Sequence, residues 1–375
     1  MIIIKGGDLP ASIKHLLLLL LLLLLIQKTA NSAEEPFDFS VGGRLVLDQN
    51  LAFLDGASDY HSRLNSFRLG PKLDFGSKFS ARTVFELRNN RLDILTSSIS
   101  YKGPILVRAG QLKLRTGLDI TSSSLVTPML NRPTISRLVG GVDRQLGVDI
   151  EGRYHGFIYQ LGAYRKDVNS GNANNNRTLL SRLVWSPDAK EDSEIRHLGM
   201  TWRRREQLSG PISINFDAAE SSFALRQRIS DSTPIFDDDL FTFEGLYQRE
   251  SFTVNAEWSR LLSDNVDLAG GYLDFSWFWG GRRGYSNKNG AFTFSQVRRG
   301  IRQGGIGAFE LVARMNYIQL DSPIDRRRQW APAVAFIWHA EPRLRVLFDV
   351  TRTETQLADG DIKTYSLNLR LQGSY

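Results

Sequence analysis

The sequence predicts an all-β fold, a transmembrane antiparallel β-barrel, and two features carry this prediction. At the C-terminus, apolar residues such as Leu367 and Leu369 alternate with polar residues such as Asn368 and Arg370. Successive side chains of a strand point to opposite faces, so this segment has one apolar and one polar face. The same alternation recurs along the chain, and the chain begins with an export signal. Together these features favour a barrel with a polar lumen and a lipid-facing exterior over a soluble sandwich.

The export signal is predicted over residues 1–33. Lys5 and Lys14 precede an uninterrupted leucine run, 16–25, and small residues follow up to Ala33. A charged start, a short apolar stretch and a small-residue cleavage zone are typical of a secretory signal. The apolar run is shorter than a spanning helix needs, although an uncleaved anchor is the alternative. The mature chain, 34–375, is predicted to be one barrel domain in the bacterial outer membrane.

About sixteen strands can be placed by the alternation, an even number as bacterial barrels require. The predicted strands are 37–47, 63–75, 79–88, 92–102, 104–112, 144–153, 156–166, 178–186, 194–204, 239–249, 251–262, 266–280, 304–320, 328–340, 343–354 and 362–374. With a periplasmic N-terminus, the long connections 113–143, 167–177 and 205–238 lie outside the cell. A long basic segment, 281–303, then falls on the periplasmic side, where short turns are usual.

Energetics decide which strand face points inward. An arginine facing the bilayer midplane costs about 2–4 kcal/mol, and many strands carry one. The charged faces are therefore predicted to line the lumen. The lumen-wall arginines predicted in this way are Arg44, Arg68, Arg82, Arg108, Arg314, Arg345 and Arg370. The alternative for each is an ion pair with a carboxylate of a neighbouring strand, which braces the barrel and attracts no solute.

Three segments resemble the phosphate- and polyphosphate-selective porin family. The first is Gly110–Asp119 followed by Thr121–Ser124, which resembles the family's strand and inward-folded third loop. The second is Phe275–Tyr285 followed by Gly290–Phe292. The third is Gly307–Tyr317, which resembles the family's segment just after a long periplasmic turn. The resemblance covers most of the chain beyond residue 105.

The resemblance implies a sixteen-stranded barrel, a homotrimer in outer-membrane lipid, whose lumen is constricted by inward-folded loops. Arginines and lysines on those loops would bind anions. The implied constriction residues are Lys113, Arg115, Arg132, Arg137, Arg144, Arg282, Arg283, Arg298 and Arg299. The sequence departs from the family at Ser124, where the family often has lysine, and at Tyr375, where phenylalanine is commoner.

These features predict a channel for passive diffusion of small anionic solutes, with phosphate or polyphosphate as candidates. The alternative is a non-conducting structural or adhesive barrel that binds a surface partner through its outer loops. Because the histidines lack metal-ligand spacing and no catalytic motif is found, the prediction is no enzyme, cofactor or metal. His155 and His339 are predicted to be interfacial. The excess of basic residues could suggest nucleic acid, but export and lumen-facing spacing argue against that partner.

Overall fold

The computed structural model describes residues 37–375, except 55–56, 89–90, 140–143, 171–175, 188–193, 209–210, 218–227, 324–325 and 359. The predicted signal, 1–33, lies outside the described residues. Within them, none of the helices is both long and apolar enough to cross a membrane.

Among the described residues, sixteen strands form one closed barrel, and two further hairpins stand apart from it. The barrel strands are β1 Phe37–Leu54, β2 Ala57–Phe75, β3 Phe79–Arg88, β4 Arg91–Lys102, β5 Leu106–Lys113, β6 Arg144–Tyr154, β7 Phe157–Arg165, β8 Asn176–Trp185, β9 Glu194–Gln207, β12 Asp237–Arg249, β13 Phe252–Leu262, β14 Asp267–Trp279, β17 Ala308–Asp321, β18 Arg326–Glu341, β19 Leu344–Leu357 and β20 Gly360–Ser374. The hairpins are β10 Ile212–Asp217 with β11 Arg228–Ile235, and β15 Gly281–Ser286 with β16 Ala291–Val297. Each predicted strand overlaps one barrel strand, so the predicted fold is confirmed, whereas both hairpins were missed.

The barrel closes between its first and last strands. β1 pairs antiparallel with β20, from Arg44 opposite Ser374 to Leu54 opposite Thr364. Closure leaves no unpaired edge, which a barrel in lipid requires because the hydrocarbon offers no hydrogen bonds. Both chain ends of the barrel therefore lie at one rim, here named the terminal rim, and the opposite end is named the loop rim.

Burial along the strands is inverted relative to a soluble protein. On β20, Asn368 and Arg370 are 1% and 4% exposed, whereas Leu369 and Leu371 are 42% and 46% exposed. The polar face therefore points into the lumen and the apolar face outward, as predicted from the cost of placing arginine in lipid. This pattern is typical of a barrel surrounded by hydrocarbon.

The connection between β5 and β6 folds into the lumen. Its described part, residues 114–139, is named the inward loop and contains two short helices, α1 Leu118–Thr121 and α2 Thr134–Val139. Met129 packs on inward-facing apolar residues of β17, β18 and β19, including Val312 and Leu347. Ile135 and Val139 pack in a second apolar cluster nearer the loop rim. Burying these apolar side chains stabilises the inward position of the loop, since each would otherwise face water.

The hairpin β15–β16, named the inner hairpin, enters the lumen from the terminal rim. The Arg182 guanidinium of β8 donates to the Gly290 carbonyl oxygen at 2.9 Å, so the hairpin tip reaches the far inner wall. The backbone N–H of Phe292 donates to Ser122 Oγ of the inward loop at 3.0 Å. The two insertions therefore meet inside the barrel.

Candidate functional site

Side chains of the inner wall hold the inward loop across the lumen. Arg345 Nη2 donates to the Thr127 carbonyl oxygen at 2.6 Å, and Gln372 Nε2 donates to that of Leu125 at 2.7 Å. Arg203 Nη1 donates to the carbonyl oxygen of Val139 at 2.6 Å. These bonds satisfy backbone carbonyl groups that would otherwise be buried without a partner. The loop is thereby fixed against several strands at once.

Two wall carboxylates bind backbone N–H groups of the same loop. Glu257 Oε1 accepts from the Asp119 N–H at 2.5 Å, and Asp349 Oδ2 accepts from the Leu130 N–H at 2.7 Å. The hydroxyl of Tyr272 also donates to Glu257 Oε1, at 2.5 Å. On this wall, carboxylates therefore position the loop through its backbone.

The predicted cations of the inward loop form bonds that stabilise the conformation of the loop. Arg115 forms an ion pair with Glu151, and Arg132 donates to the carboxylate of Asp119 at 2.8 Å. Lys113 Nζ donates to the Ser122 carbonyl oxygen at 3.1 Å. Burial lowers the pKa of Arg115 to about 10, with Arg108 adding to the effect, so its guanidinium stays charged at neutral pH. Arg137 donates to Thr134 Oγ1 at 3.3 Å within α2, and Arg144 begins β6, half-buried.

The inner hairpin is held by two buried polar networks. Arg283 Nε donates to Glu310 Oε1 at 2.6 Å, and the same carboxylate contacts His339 at 2.9 Å. On the other side, the Tyr285 hydroxyl lies 2.5 Å from His197 Nδ1 and 3.1 Å from Ser186 Oγ. Burial raises the pKa of Tyr285, so its hydroxyl keeps its proton.

The histidine prediction is therefore wrong for His339, which is 1% exposed and lies inside the barrel. The strand's alternation could have shown this, because His339 follows Ile337 on the inward face. Its pairing with Glu310, across from Arg283, could not be read from the sequence. His155 occupies the turn between β6 and β7 with a left-handed φ of 46°.

The inner wall differs sharply between its two sides. Across β12 to β19, inward side chains such as Glu310 and Arg314 are 1% and 4% exposed, because the inward loop and inner hairpin cover them. Along β2 to β4 several inward cations stay accessible: the Lys72 and Lys102 side chains are 37% and 43% exposed and Arg82 is exposed, although Ser66 and Glu86 are buried. The uncovered path through the described lumen therefore runs beside β2, β3 and β4.

Cations outnumber the carboxylates that they contact along β1, β2 and β3 and on the adjoining strand β20. Glu86 is shared by Arg44 and Arg68, at 3.4 Å and 2.5 Å. Asp48 is shared by Arg370 and Arg63, at 2.7 Å and 3.4 Å. Each triad has two guanidinium groups against one carboxylate, and so keeps a net positive charge.

Further cations continue toward the terminal rim. Arg82 shares the inward face with Lys72, its register partner on β2. The described residues supply Arg82 with no hydrogen bond or ion pair. Lys72 and Lys102 share Asp74, with Asp38 opposite Asp74. The set is named the cationic track. Its members are Arg44, Arg63, Arg68, Lys72, Arg82, Lys102 and Arg370.

The open path beside the cationic track is narrowed where the inward loop contacts β1. Arg44 Nη1 donates to Ser124 Oγ at 2.8 Å, while Arg44 Nε donates to Ser66 Oγ at 2.9 Å. A passing anion would therefore meet the Arg44, Arg68 and Glu86 triad beside the loop. Ser124, the position at which the family often has lysine, contributes a hydroxyl there.

The other predicted cations lie in three different settings. Arg108 and Arg314 form two-bonded pairs, with Asp149 at 2.7 and 3.0 Å and with Asp274 at 2.7 and 2.8 Å. Arg282 donates to Gln296 Oε1 within the inner hairpin, at 2.6 Å. Arg298 and Arg299 are exposed in the segment that follows the hairpin, away from the contact between hairpin and loop.

Three track members were not among the predicted site residues. Lys72 and Lys102 lie on the polar face of their strands, so the alternation alone could have found them. Arg63 was harder to place, because the β1–β2 register shifts between Val46 and Leu47 and reverses the alternation beyond that point. A bulge of this kind is not visible in a sequence pattern with period two.

Comparisons with known proteins agree with this architecture. An uncharacterised protein of Caulobacter vibrioides is 24% identical over 366 residues, which cover 88% of this chain and 72% of the relative. The anion-selective porin from Comamonas acidovorans has 11% identity and a TM-score of 0.56, covering 90% of this chain and 100% of that one. OmpT of Vibrio cholerae, in a trimer form, has 9% identity and a TM-score of 0.57, covering 90% and 100%. At these identities the two structures are similar in fold alone.

The profile of phosphate-selective porin O and P matches residues 39–375, nearly the whole chain, and the protein therefore belongs to that family of outer-membrane porins.

Proposed function

We propose that the protein is a channel for passive diffusion of small anionic solutes across the outer membrane. The observation that carries the proposal is the cationic track, whose members Arg68, Lys72 and Arg82 are accessible from the described lumen beside β2 and β3. From Arg63 to Lys72 the track follows β2 for about 30 Å at the usual rise per residue, which is about 21–25 Å along the barrel axis at the usual strand tilt and therefore spans most of the hydrocarbon core. An anion could therefore pass from cation to cation through the membrane.

Because its cations share carboxylates, the cationic track should bind anions with the moderate strength that conduction requires. Conduction needs sites that bind an anion well enough to admit it and weakly enough to release it. In the Glu86 triad, one carboxylate competes with a passing anion for two guanidinium groups. Arginine offers planar, permanently charged donors that suit phosphate and carboxylate oxygens. We propose phosphate-like anions as the preferred solutes, with Arg44, Arg68 and Arg82 as their first contacts.

The proposed assembly is a homotrimer in outer-membrane lipid, reached after removal of the signal at 1–33, and the proposed activity is transport without catalysis. The Comamonas acidovorans porin is described as anion-selective and the OmpT structure as a trimer form, which supports an anion channel and a trimer by likeness of fold. Arg298 and Arg299 are not assigned to the constriction in this proposal.

The test is single-channel recording of the purified protein in a planar bilayer under a KCl gradient, followed by addition of phosphate. We expect the reversal potential to have the sign of the chloride equilibrium potential, and we expect phosphate to block the current in a concentration-dependent way. Anion preference without block would leave a general anion pore and contradict the phosphate preference. The absence of channels from correctly folded protein would contradict the proposal and favour the plugged, adhesive barrel.

A matched pair of variants tests the track directly. Arg68→Gln with Arg82→Gln removes two charges from the uncovered wall. Arg260→Gln with Arg352→Gln removes two charges from exposed, ion-paired arginines on the outward face. We expect the first variant to shift the reversal potential toward zero and the second to leave it unchanged. Equal shifts would show that overall charge, rather than the track, sets the selectivity.

A further inference from the structure

The segment between the inner hairpin and β17 exposes both apolar and basic side chains. It spans residues 298–307 and is named the rim loop. Ile306 is 75% exposed and Ile301 is 42% exposed, although isoleucine is usually buried. The side chains of Arg298, Arg299 and Arg302 are also exposed. An exposed surface that combines isoleucine with arginine calls for a partner with both an apolar and an anionic part.

The rim loop is tightly folded by its own backbone. Gly304 N–H donates to the Ile301 carbonyl oxygen at 3.0 Å, and Gly307 N–H donates to that of Arg299 at 3.2 Å. Gly304 and Gly307 have left-handed φ values of 72° and 81°, which favour glycine. The Arg302 N–H donates to Glu341 Oε1 at 2.7 Å, which ties the loop to the end of β18. The isoleucines are therefore held in their exposed positions.

The location of the loop indicates which partner it meets. Trp338 Nε1 donates to the Ile306 carbonyl oxygen at 2.8 Å. Trp338 lies on the outward face of β18, in line with Val334 and Phe336, which are 52% and 46% exposed. Ile306 thus continues the lipid-facing band at the terminal rim. Tryptophan at such a position is typical of the interface between hydrocarbon and headgroups.

The basic side chains have few protein partners. Arg299 Nε donates to the Gln303 carbonyl oxygen at 3.1 Å, and the described residues give its terminal nitrogens no hydrogen bond or ion pair. For Arg298 and Arg302, the described part of the chain supplies no side-chain hydrogen bond or ion pair. Guanidinium groups beside a lipid-facing surface match the phosphate groups of phospholipids.

We propose that the rim loop is a docking surface for anionic phospholipids of the leaflet at the terminal rim. Ile301 and Ile306 insert at the boundary between headgroups and acyl chains, and Arg298, Arg299 and Arg302 bind the phosphates. Combined apolar insertion and electrostatic attraction is the way in which interfacial segments bind membranes. This role does not depend on which solute the channel carries.

The first test measures the depth of Ile306 in a bilayer. The sequence contains no cysteine, so Ile306→Cys gives a single labelling site for a nitroxide. Val334→Cys provides a lipid-facing reference. In phosphatidylcholine bilayers that contain phosphatidylglycerol, we expect the label at 306 to be more accessible to oxygen than to a water-soluble nickel complex. Greater accessibility to the nickel complex would overturn the proposal, and so would spin–spin coupling showing that a second copy covers the site.

The second test concerns the charges. Arg298→Gln, Arg299→Gln and Arg302→Gln are combined in one variant, and Arg260→Gln, Arg326→Gln and Arg352→Gln in a control that loses the same charge elsewhere. Native mass spectrometry then counts phosphatidylglycerol and phosphatidylcholine molecules retained by each folded protein. We expect a several-fold loss of phosphatidylglycerol in the first variant alone, with phosphatidylcholine unchanged. Equal retention by both variants would refute headgroup binding by the rim loop.

Discussion

At the scale of single residues, an arginine's role depends on how many cations share its carboxylate and on how far its side chain is exposed. Among the described residues, only Arg314 forms an ion pair with Asp274, through two bonds; Arg314 is 4% exposed and braces the covered wall. Arg68 shares Glu86 with Arg44, and its side chain is 21% exposed. Both residues look alike in the sequence, because each lies on the polar face of a strand. Sharing of the carboxylate and exposure of the side chain together distinguish a bracing arginine from one that can attract a solute: Arg203 and Arg205 also share a carboxylate, that of Asp238, but are buried.

Gly117 is the residue on which docking of α1 most directly depends. Its φ is 144°, and a Cβ there would collide with the carboxylate of Glu257. Gly117→Ala should push α1 off the wall and weaken the bond between Asp119 N–H and Glu257. We therefore expect a larger and noisier single-channel conductance, with a loss of stability of about 1–3 kcal/mol.

Gly360 provides the control for this prediction. Its φ is 133°, and a Cβ there would meet no atom within 4 Å. Gly360→Ala therefore imposes a similar backbone strain without a collision. If both variants raise the conductance equally, backbone strain alone is responsible and the proposed contact with Glu257 does not fix the loop.

At the scale of elements, the position of the inward loop depends on an apolar patch on the otherwise polar lumen wall. Val312, Ala335, Ile337 and Leu347 face inward on β17 to β19, where the alternation predicts polar side chains to dominate. Met129 of the loop covers them. The strands were predictable because every outward-facing residue in the hydrocarbon core must be apolar, which produces a regular alternation. The inward folding of the loop was implied by the family resemblance and is confirmed, but the alternation could not show which wall the loop packs on, because that depends on which inward residues are apolar and what covers them.

Replacing Met129 tests whether this apolar contact holds the loop in place. Met129→Asn would bury an amide against the apolar wall, at a cost of about 2–5 kcal/mol for the lost packing and the unsatisfied polar group. We expect the inward loop to dissociate part of the time, so that single-channel records gain a second, larger conductance level. Met129→Leu nearly conserves volume and should retain the single level. A single unchanged level in Met129→Asn would show that hydrogen bonds alone hold the loop.

At the scale of the whole molecule, the barrel could be predicted from the sequence and much of its interior could not. Alternation placed all sixteen barrel strands, because a strand with one face in lipid must alternate. It also placed Arg44, Arg68 and Arg82 on the inward face. It could not show that Arg63 joins Asp48, since a bulge shifts the register there. Nor could it show that the inner hairpin meets the inward loop, because that contact joins residues 170 positions apart.

The seam between β1 and β20 closes the barrel and carries a buried ion pair. Arg370 donates to both oxygens of Asp48, at 2.7 and 2.8 Å, and Asn50 donates to Asn368 across the same seam at 2.5 Å. The Asp48 side chain is 0% exposed. Arg370→Gln would leave that carboxylate with Arg63 alone, at 3.4 Å. Removing one partner of a buried pair typically costs about 3–5 kcal/mol.

We therefore expect Arg370→Gln to lower the free energy of unfolding by an amount in that range. Equilibrium unfolding by guanidinium in lipid vesicles, followed by tryptophan fluorescence, measures the loss. Arg352→Gln breaks an exposed pair with Glu354 on the neighbouring strand β19 and should cost no more than about 1 kcal/mol. Similar losses for the two variants would mean that water reaches Asp48, and that backbone pairing rather than the ion pair holds the seam closed.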